Sequence, residues 1–187
     1  MSTRLVQAFE MAAQLHAGQV RKGTSRPYIG HLLGVASIVL QYGADEDVAI
    51  AALLHDAVED QGGAPTLARI RLKFGDRVAG IIDACSDTDV TPKPPWRERK
   101  EAYIRSLRTA GPDELLVSAA DKLHNLRETL ADLRFEGDRL WERFRTGREG
   151  TLWYHGALLD AFESSGQIPL GLLSELRQTF AAISDPS

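Results

Sequence analysis

Apolar residues recur every three or four positions along most of the chain, which is the spacing of one face of an amphipathic helix. The pattern predicts a first helix over about residues 5–16, a second over 28–43 and a third over 45–56. The third helix opens on acidic capping residues and ends in the pair His55 and Asp56. No segment alternates with the period of two that is typical of a half-buried strand, so the sequence predicts an all-α fold.

Glycine and proline separate the later helices. Thr66 is expected to cap a short helix that ends near Phe74, and Ser86 to Pro95 is too rich in proline to be helical. We expect one helical-bundle domain over residues 1–187, with a core at about 5–165 and a C-terminal helix at about 169–183. The remaining helices are predicted from Asp76, over 96–107 and about 113–133, and as a pair over 151–162 and 170–183.

Composition restricts the class of protein. With 43% hydrophobic and 26% charged residues in 187, the chain is an ordinary globular protein. No apolar run approaches the ~20 residues that span a bilayer, and the first residues lack the apolar core of a signal peptide. Cys85 is the only cysteine, so an internal disulfide is excluded and a cytoplasmic location is expected. The net charge of -4 argues against nucleic acid as a partner. A homodimer is compatible with the sequence, which leaves the oligomeric state open.

His55 and Asp56 follow the apolar run Ala51-Ala52-Leu53-Leu54, where burying both is costly unless a partner satisfies them. A divalent cation would accept the imidazole nitrogen and the carboxylate together. His31 and Asp121 lie on two other apolar helices and complete a set of two imidazoles and two carboxylates. Such a set suits Mn²⁺, Fe²⁺ or Zn²⁺. For each residue singly the plainer interpretation is a hydrogen-bonded core residue, and only the combination indicates a metal site.

Glu59 and Asp60 follow within one helical turn, where they could move protons rather than pack. Three further histidines have no neighbouring acid at comparable spacing. We therefore expect His16, His124 and His155 to be packing or surface residues.

The order His…His-Asp…Asp resembles the HD superfamily of metal-dependent phosphohydrolases. The flanking segments resemble the hydrolase domains of RelA/SpoT-type enzymes, over about residues 9–134. Because the chain contains no synthetase or regulatory segment, it is similar to the stand-alone small alarmone hydrolases. The segments that carry the resemblance are Gly18-Gln19-Val20-Arg21-Lys22, Pro27-Tyr28-Ile29-Gly30-His31, Leu53-Leu54-His55-Asp56-Ala57-Val58-Glu59-Asp60 and Ala120-Asp121-Lys122-Leu123-His124-Asn125-Leu126-Arg127.

The resemblance implies an HD-type helical bundle that hydrolyses guanosine 3′,5′-bis(diphosphate) and its pentaphosphate to GDP or GTP and pyrophosphate. It implies that one divalent ion, usually Mn²⁺, is held by the four candidate ligands and that Glu59 and Asp60 activate the attacking water. It also implies the substrate contacts. The basic pair Arg21 and Lys22 would bind the guanine, and Tyr28 and Asn125 would contact the nucleotide. Lys122 and Arg127 are candidates for binding the phosphates.

The sequence also departs from the long bifunctional enzymes of this family. Cys85-Ser86-Asp87-Thr88-Asp89 stands where they have Val-Thr-Lys-Leu, Glu128 stands where they often carry threonine, and residues 147–154 match no known role. Three other interpretations therefore remain open. One is a hydrolase of another nucleotide, such as an adenosine counterpart or a nucleoside monophosphate. The second is a nucleotide-binding module without activity, and the third is a structural helical bundle with an incidental polar core.

Overall fold

The structure is a computed structural model that describes residues 2–86 and 92–185. Within these ranges every extended regular element is a helix, which confirms the all-α fold. The α-helices, in chain order, are α1 (Thr3–Leu15), α2 (Ile29–Gln41), α3 (Glu46–Leu54), α4 (Ala57–Asp60), α5 (Gly63–Phe74), α6 (Asp76–Cys85), α7 (Trp96–Ser106), α8 (Pro112–Glu136), α9 (Gly147–Ser165) and α10 (Leu170–Ser184).

Helix α3 lies at the centre of the molecule, packed by α1, α2, α6 and α8. Its residues from Val48 to Leu54 are all buried, as expected of a helix that is apolar on every side. Asp45 caps it: the carboxylate Oδ1 accepts a hydrogen bond from the backbone N–H of Val48 at 3.1 Å. The C-terminal end of this buried helix therefore delivers His55 and Asp56 to the interior.

Helix α8 is the longest element, and it lies against α2, α3, α6 and α10. Pro112 occupies its first turn, where the missing N–H would have no partner within the helix. Its small residues Ala119 and Ala120 are fully buried and leave room for close packing beside Asp121. The C-terminal helix α10 packs on α8 and α9; the predicted division into one domain over residues 1–187 stays a prediction.

Some boundaries differ from those predicted. Helix α5 begins at Gly63, not at Thr66, and the Thr66 hydroxyl donates instead to the carbonyl of Gln61 at 2.6 Å. Helix α9 begins at Gly147, four residues before the predicted start. A 3₁₀ helix, Gly137–Arg143, precedes it and was not predicted.

The loop between α1 and α2 folds back on itself through a bridge between Val20 and Pro27. The N–H of Arg21 donates to the carbonyl of Arg26 at 2.9 Å, so the basic loop has a defined shape. Of the predicted loop at 86–95, residues 87–91 lie outside the described part of the chain. Among the residues described, no helix is both long enough and apolar enough to cross a membrane.

Candidate metal centre and active site

Four predicted ligands converge from three regions of the chain. His31 lies in the first turn of α2, and His55 is the capping residue directly after α3. Asp56 precedes α4, and Asp121 faces them from the middle of α8. The structure thus brings together all four side chains from positions up to 90 residues apart.

The ligand-type atoms lie within contact distance. The Nε2 atom of His55 is 3.0 Å from Asp56 Oδ2 and 3.7 Å from Asp121 Oδ1. The Nε2 atom of His31 is 3.6 Å from the same oxygen of Asp56 and 3.3 Å from that of Asp121. Both imidazoles are buried, with 2% and 3% exposure for His31 and His55.

The protonation pattern of these groups fits a divalent cation. His55 Nδ1 lies 2.9 Å from the carbonyl oxygen of Ala52, to which it donates, so Nε2 is the nitrogen that presents a lone pair when the imidazole is neutral. Nε2 of His31 and Nε2 of His55 are buried without a hydrogen-bond partner among the described residues. Two orphaned imidazole nitrogens beside two carboxylates are the donor set of a Mn²⁺, Fe²⁺ or Zn²⁺ site.

The electrostatics of the cluster favour positive charge between the carboxylates. Burial on its own lowers the pKa of His55, but the charges of Asp56 and Asp121 outweigh it and raise that pKa to about 10. Burial on its own raises the pKa of Asp56, yet His55 and His31 hold it well below its usual range. Both carboxylates are therefore ionised at neutral pH.

Tyr28 fixes the orientation of one candidate ligand. Its hydroxyl donates to Asp56 Oδ2 at 2.6 Å, and its ring stacks on His16 with centroids 5.2 Å apart. Burial and the neighbouring carboxylate raise the pKa of the phenol, so it stays a donor throughout the physiological range. A hydrogen bond of this kind holds a carboxylate in the direction that a metal requires.

His124 contacts the candidate ligand His31, as Tyr28 contacts Asp56. The two Nδ1 atoms are 3.0 Å apart, and the rings meet edge to face. His124 can pack so closely on α2 only because residue 34 is glycine: a Cβ there would lie 2.1 Å from His124 Nε2. His124 thus packs against α2, as expected of a packing residue, and its contact with a candidate ligand is a feature that the sequence did not predict.

Glu59 and Asp60 lie just past the ligands on the short helix α4. Glu59 pairs with the ammonium group of Lys93 at 2.8 Å, and Asp60 Oδ2 accepts from Gln19 Nε2 at 2.8 Å. Burial and the charges of Asp56 and Glu59 raise the pKa of Asp60, whereas the hydrogen bond from Gln19 lowers it. Neither carboxylate belongs to the group of ligand-type atoms formed by His31, His55 and Asp56.

The basic loop reaches the same region through Arg21. Its guanidinium group lies 5.3 Å from the centre of the Tyr28 ring and pairs with Glu128 at 2.6 Å. It also donates to the amide oxygen of Asn125, whose Nδ2 donates to Asp121 Oδ1 at 2.6 Å. Asn125 thereby links the basic loop to a candidate metal ligand.

A cavity of about 640 Å³ opens beside the metal-type cluster. Lys122 lies at its border and pairs with Asp121 Oδ2 at 2.5 Å. The predicted substrate-contact residues that line the cavity are Arg21, Lys22, Tyr28, Lys122 and Asn125, and Asp60 joins them. Further lining cations are Arg26, Arg99, Lys100, Arg143 and Arg145.

Arg127 does not reach this cavity. Its guanidinium group forms an ion pair with Glu175 of α10 and is 44% exposed. Two positions along a helix correspond to a rotation of about 200°, so Arg127 points away from the face that carries Asn125. The structure thus gives no support to the prediction that Arg127 contacts a phosphate.

The sequence patterns do not reveal the roles of two histidines at the site. His124 lies three positions after Asp121, and His16 lies three positions before Gln19. His16 is buried, and its Nδ1 bonds to Gln19 Oε1 at 2.7 Å. A spacing of three residues along a helix or turn is the sequence signal that could have indicated these two histidines. Their contacts His31 and Tyr28 lie further along the chain, so the local sequence does not reveal them.

A comparison with protein families matches residues 8–152 to the family described as HD domain. A human relative named guanosine-3′,5′-bis(diphosphate) 3′-pyrophosphohydrolase MESH1 is 34% identical over 185 residues, covering 97% of this chain and 92% of that protein. A probable GTP pyrophosphokinase of Mycobacterium leprae is 41% identical over 123 residues. That match covers 64% of this chain but only 15% of the much longer relative.

Solved structures also resemble this fold. One is that of a protein described as a metazoan orthologue of SpoT that hydrolyses ppGpp and plays a role in starvation responses. It superposes with a TM-score of 0.79 at 27% identity, covering 97% of this chain and 96% of that one. A protein of Listeria monocytogenes has a TM-score of 0.72 at 33% identity, covering 87% of this chain and all of that one.

Proposed function

The chain belongs to the HD domain family, and from that membership we propose that it is a metal-dependent hydrolase of guanosine 3′,5′-bis(diphosphate). The observation that carries the proposal is the cluster of His31, His55, Asp56 and Asp121 beside a cavity lined by cations. The names of the human relative and of the metazoan SpoT orthologue indicate the same reaction.

The four clustered residues would hold one divalent ion, which we propose to be Mn²⁺. When bound, such an ion lowers the pKa of water and polarises a phosphoryl oxygen. The hydroxyl of Tyr28 and the imidazole of His124 keep two of the ligands in place. In this proposal the four clustered residues would set the position of the ion relative to the reacting phosphorus.

The proposed reaction adds water across the bond between the ribose 3′ oxygen and the adjacent phosphorus. The water oxygen bonds to that phosphorus while the bond from phosphorus to the 3′ oxygen breaks, so the nucleotide is the leaving group and the attacked phosphorus ends in pyrophosphate. Asp60 and Glu59 orient the water, and one of them takes its proton. The 3′ oxygen gains a proton, so the products are pyrophosphate and GDP, or GTP from the pentaphosphate.

Substrate binding falls to the cavity residues. The guanidinium plane of Arg21, held by Glu128, would stack on the guanine, with Lys22 near its polar edge. Tyr28 and Asn125 line the same part of the cavity, and the Lys122 ammonium offers hydrogen bonds to phosphate oxygens. Arg127 is excluded from this set because it pairs with Glu175 outside the cavity.

The test is a nucleotide panel incubated with the Mn²⁺-loaded protein, with products separated by chromatography. We expect guanosine tetraphosphate to give GDP and pyrophosphate in equal amounts. Turnover of the adenosine analogue or of monophosphates alone would reassign the substrate, and no turnover with the ion bound would favour a binding module. From the single cysteine we also propose a cytoplasmic location. We further propose that the protein is a homodimer, and light scattering would test this oligomeric state.

A further inference from the structure

Gln19 lies between the basic loop and the short helix that carries Asp60, and every polar atom of its side chain is engaged. Its Oε1 accepts hydrogen bonds from His16 Nδ1 at 2.7 Å and from Gln61 Nε2 at 2.5 Å. Its Nε2 donates to Asp60 Oδ2 at 2.8 Å. A single side chain thus connects a buried histidine to one of the two candidate proton acceptors.

The pattern of donors fixes which end of the Gln19 amide faces Asp60. The ionised carboxylate of Asp60 can only accept, so the Nε2 of Gln19 must face it. The oxygen of Gln19 then lies toward Gln61 and His16. The reverse orientation would place that oxygen against a carboxylate and two donors against each other. His16 supports this arrangement because it is 3% exposed and held by stacking on Tyr28.

The backbone of Gln19 makes its own hydrogen bonds within the loop. Its N–H donates to the carbonyl of His16 at 3.0 Å, and its carbonyl accepts from the Tyr28 N–H at 2.9 Å. The hydrogen bond from the side chain to Asp60 is a separate contact, which joins the loop to α4, 41 positions along the chain.

We propose that Gln19 is a positioning residue for Asp60, which orients this carboxylate toward the attacking water by occupying its Oδ2 atom with an amide N–H. The inference rests on the proposed function, because it requires that Asp60 acts in proton transfer. His16 and Gln61 hold Gln19, so the chain of contacts runs from the interior to the reacting groups. The second oxygen of Asp60 then faces the water in a fixed direction.

Replacing Gln19 by methionine tests the proposal, because methionine has nearly the same length but no amide. We expect kcat to fall by about 10-fold, the effect of losing one hydrogen bond to a charged group, with KM within about twofold of the wild type. Metal content and thermal unfolding should stay the same. The matched control is Gln14→Met, at an exposed position of α1. An unchanged kcat in Gln19→Met, or a loss confined to KM, would overturn the proposal.

A double-mutant cycle with Asp60→Asn separates this inference from the proposed function. If Gln19 acts through Asp60, Gln19→Met should have no further effect on kcat once Asp60 is asparagine. Two independent losses that multiply would show that Gln19 acts elsewhere. If Asp60→Asn leaves kcat intact, the role of Asp60 is wrong and the inference fails with it. If Gln19→Met does not fold, Gln61→Met is the alternative variant. It removes one of the two donors that hold the Gln19 amide, and the proposal requires that it also lowers kcat.

Discussion

His31 and His124 face each other through their Nδ1 atoms at 3.0 Å, so one nitrogen of the pair carries the proton and the other accepts it. A proton on His31 Nδ1 leaves the Nε2 lone pair of His31 directed at the carboxylates of Asp56 and Asp121. In the arrangement where His124 accepts, it therefore sets the tautomer of a candidate ligand.

Replacing His124 by phenylalanine should weaken metal binding by about 10–100-fold, because the ring keeps its bulk but the acceptor for His31 is lost. Titration calorimetry of Mn²⁺ into metal-free protein measures the change. His155→Phe is the matched control, since this half-buried histidine of α9 has no hydrogen bond to a candidate ligand among the described residues. Equal affinity in the two variants would contradict the role given to His124.

Replacing His55 by alanine should abolish stoichiometric metal binding. His55 offers one of the two orphaned nitrogens, and its loss leaves His31 with the two carboxylates. Metal analysis of the purified wild type should find about one ion per chain, by the ligand count. The site assignment fails if the variant retains that content.

Glu59→Gln and Asp60→Asn should lower turnover by about 10²–10⁴-fold while the ion stays bound, because removing general base catalysis has effects of that size. Both side chains lie outside the ligand cluster, so metal content and thermal unfolding serve as the controls. Full activity in both variants would remove this pair from the mechanism.

Arg21→Ala should raise KM for guanosine tetraphosphate by about 3- to 30-fold, the range expected when a cation–π contact is lost. The ion should remain bound and kcat should change little, since stacking contributes equally to the ground and transition states. Arg127→Ala is the control variant, because it removes another arginine, one that pairs with Glu175 outside the cavity. The same rise in KM in both variants would mean that Arg21 acts only through general charge.

The Glu175 carboxylate links α10 to the rest of the molecule, accepting from Tyr42 at 2.6 Å and pairing with Arg127. The hydrogen bond from Tyr42 and the charge of Arg127 hold the pKa of Glu175 below its usual range. Because the folded pKa is depressed, its contribution is present above the unfolded pKa and is lost as pH falls through the folded value. Glu175→Gln should therefore cost about 0.5–1 kcal/mol at pH 7, a value limited by solvent screening, and almost nothing near pH 3. Urea unfolding of the wild type and the variant at the two pH values measures this difference in the free energy of unfolding. A difference that does not change with pH would contradict the role given to the Glu175 carboxylate.

The fold and the candidate ligands could be predicted because they depend on local patterns. The run that ends at His55 and Asp56 is apolar on every side, and that pattern places His55 in the core and Asp56 at its edge. Helix α5 was misplaced because its glycines and Pro65 indicate a break, yet proline is tolerated in a first turn, where its N–H would have no partner.

The contacts around the ligands could not be predicted in the same way. His124 bonds to a residue 93 positions away and Gln19 to one 41 positions away, so neither partner is visible in the local sequence. Arg127 is different, because its position two residues after Asn125 already indicates another face of α8. Helical geometry alone is therefore sufficient to exclude Arg127 from the cavity.

The close approach of α2 to α8 has a consequence for how this site tolerates mutation. At residue 34 a single methyl group would overlap the ring of His124, which has no room to retreat without losing His31. In a scan of all single substitutions scored by retention of the ion, Gly34 should rank with the histidines. A residue that contributes no atom to the site would then be as intolerant as those that do.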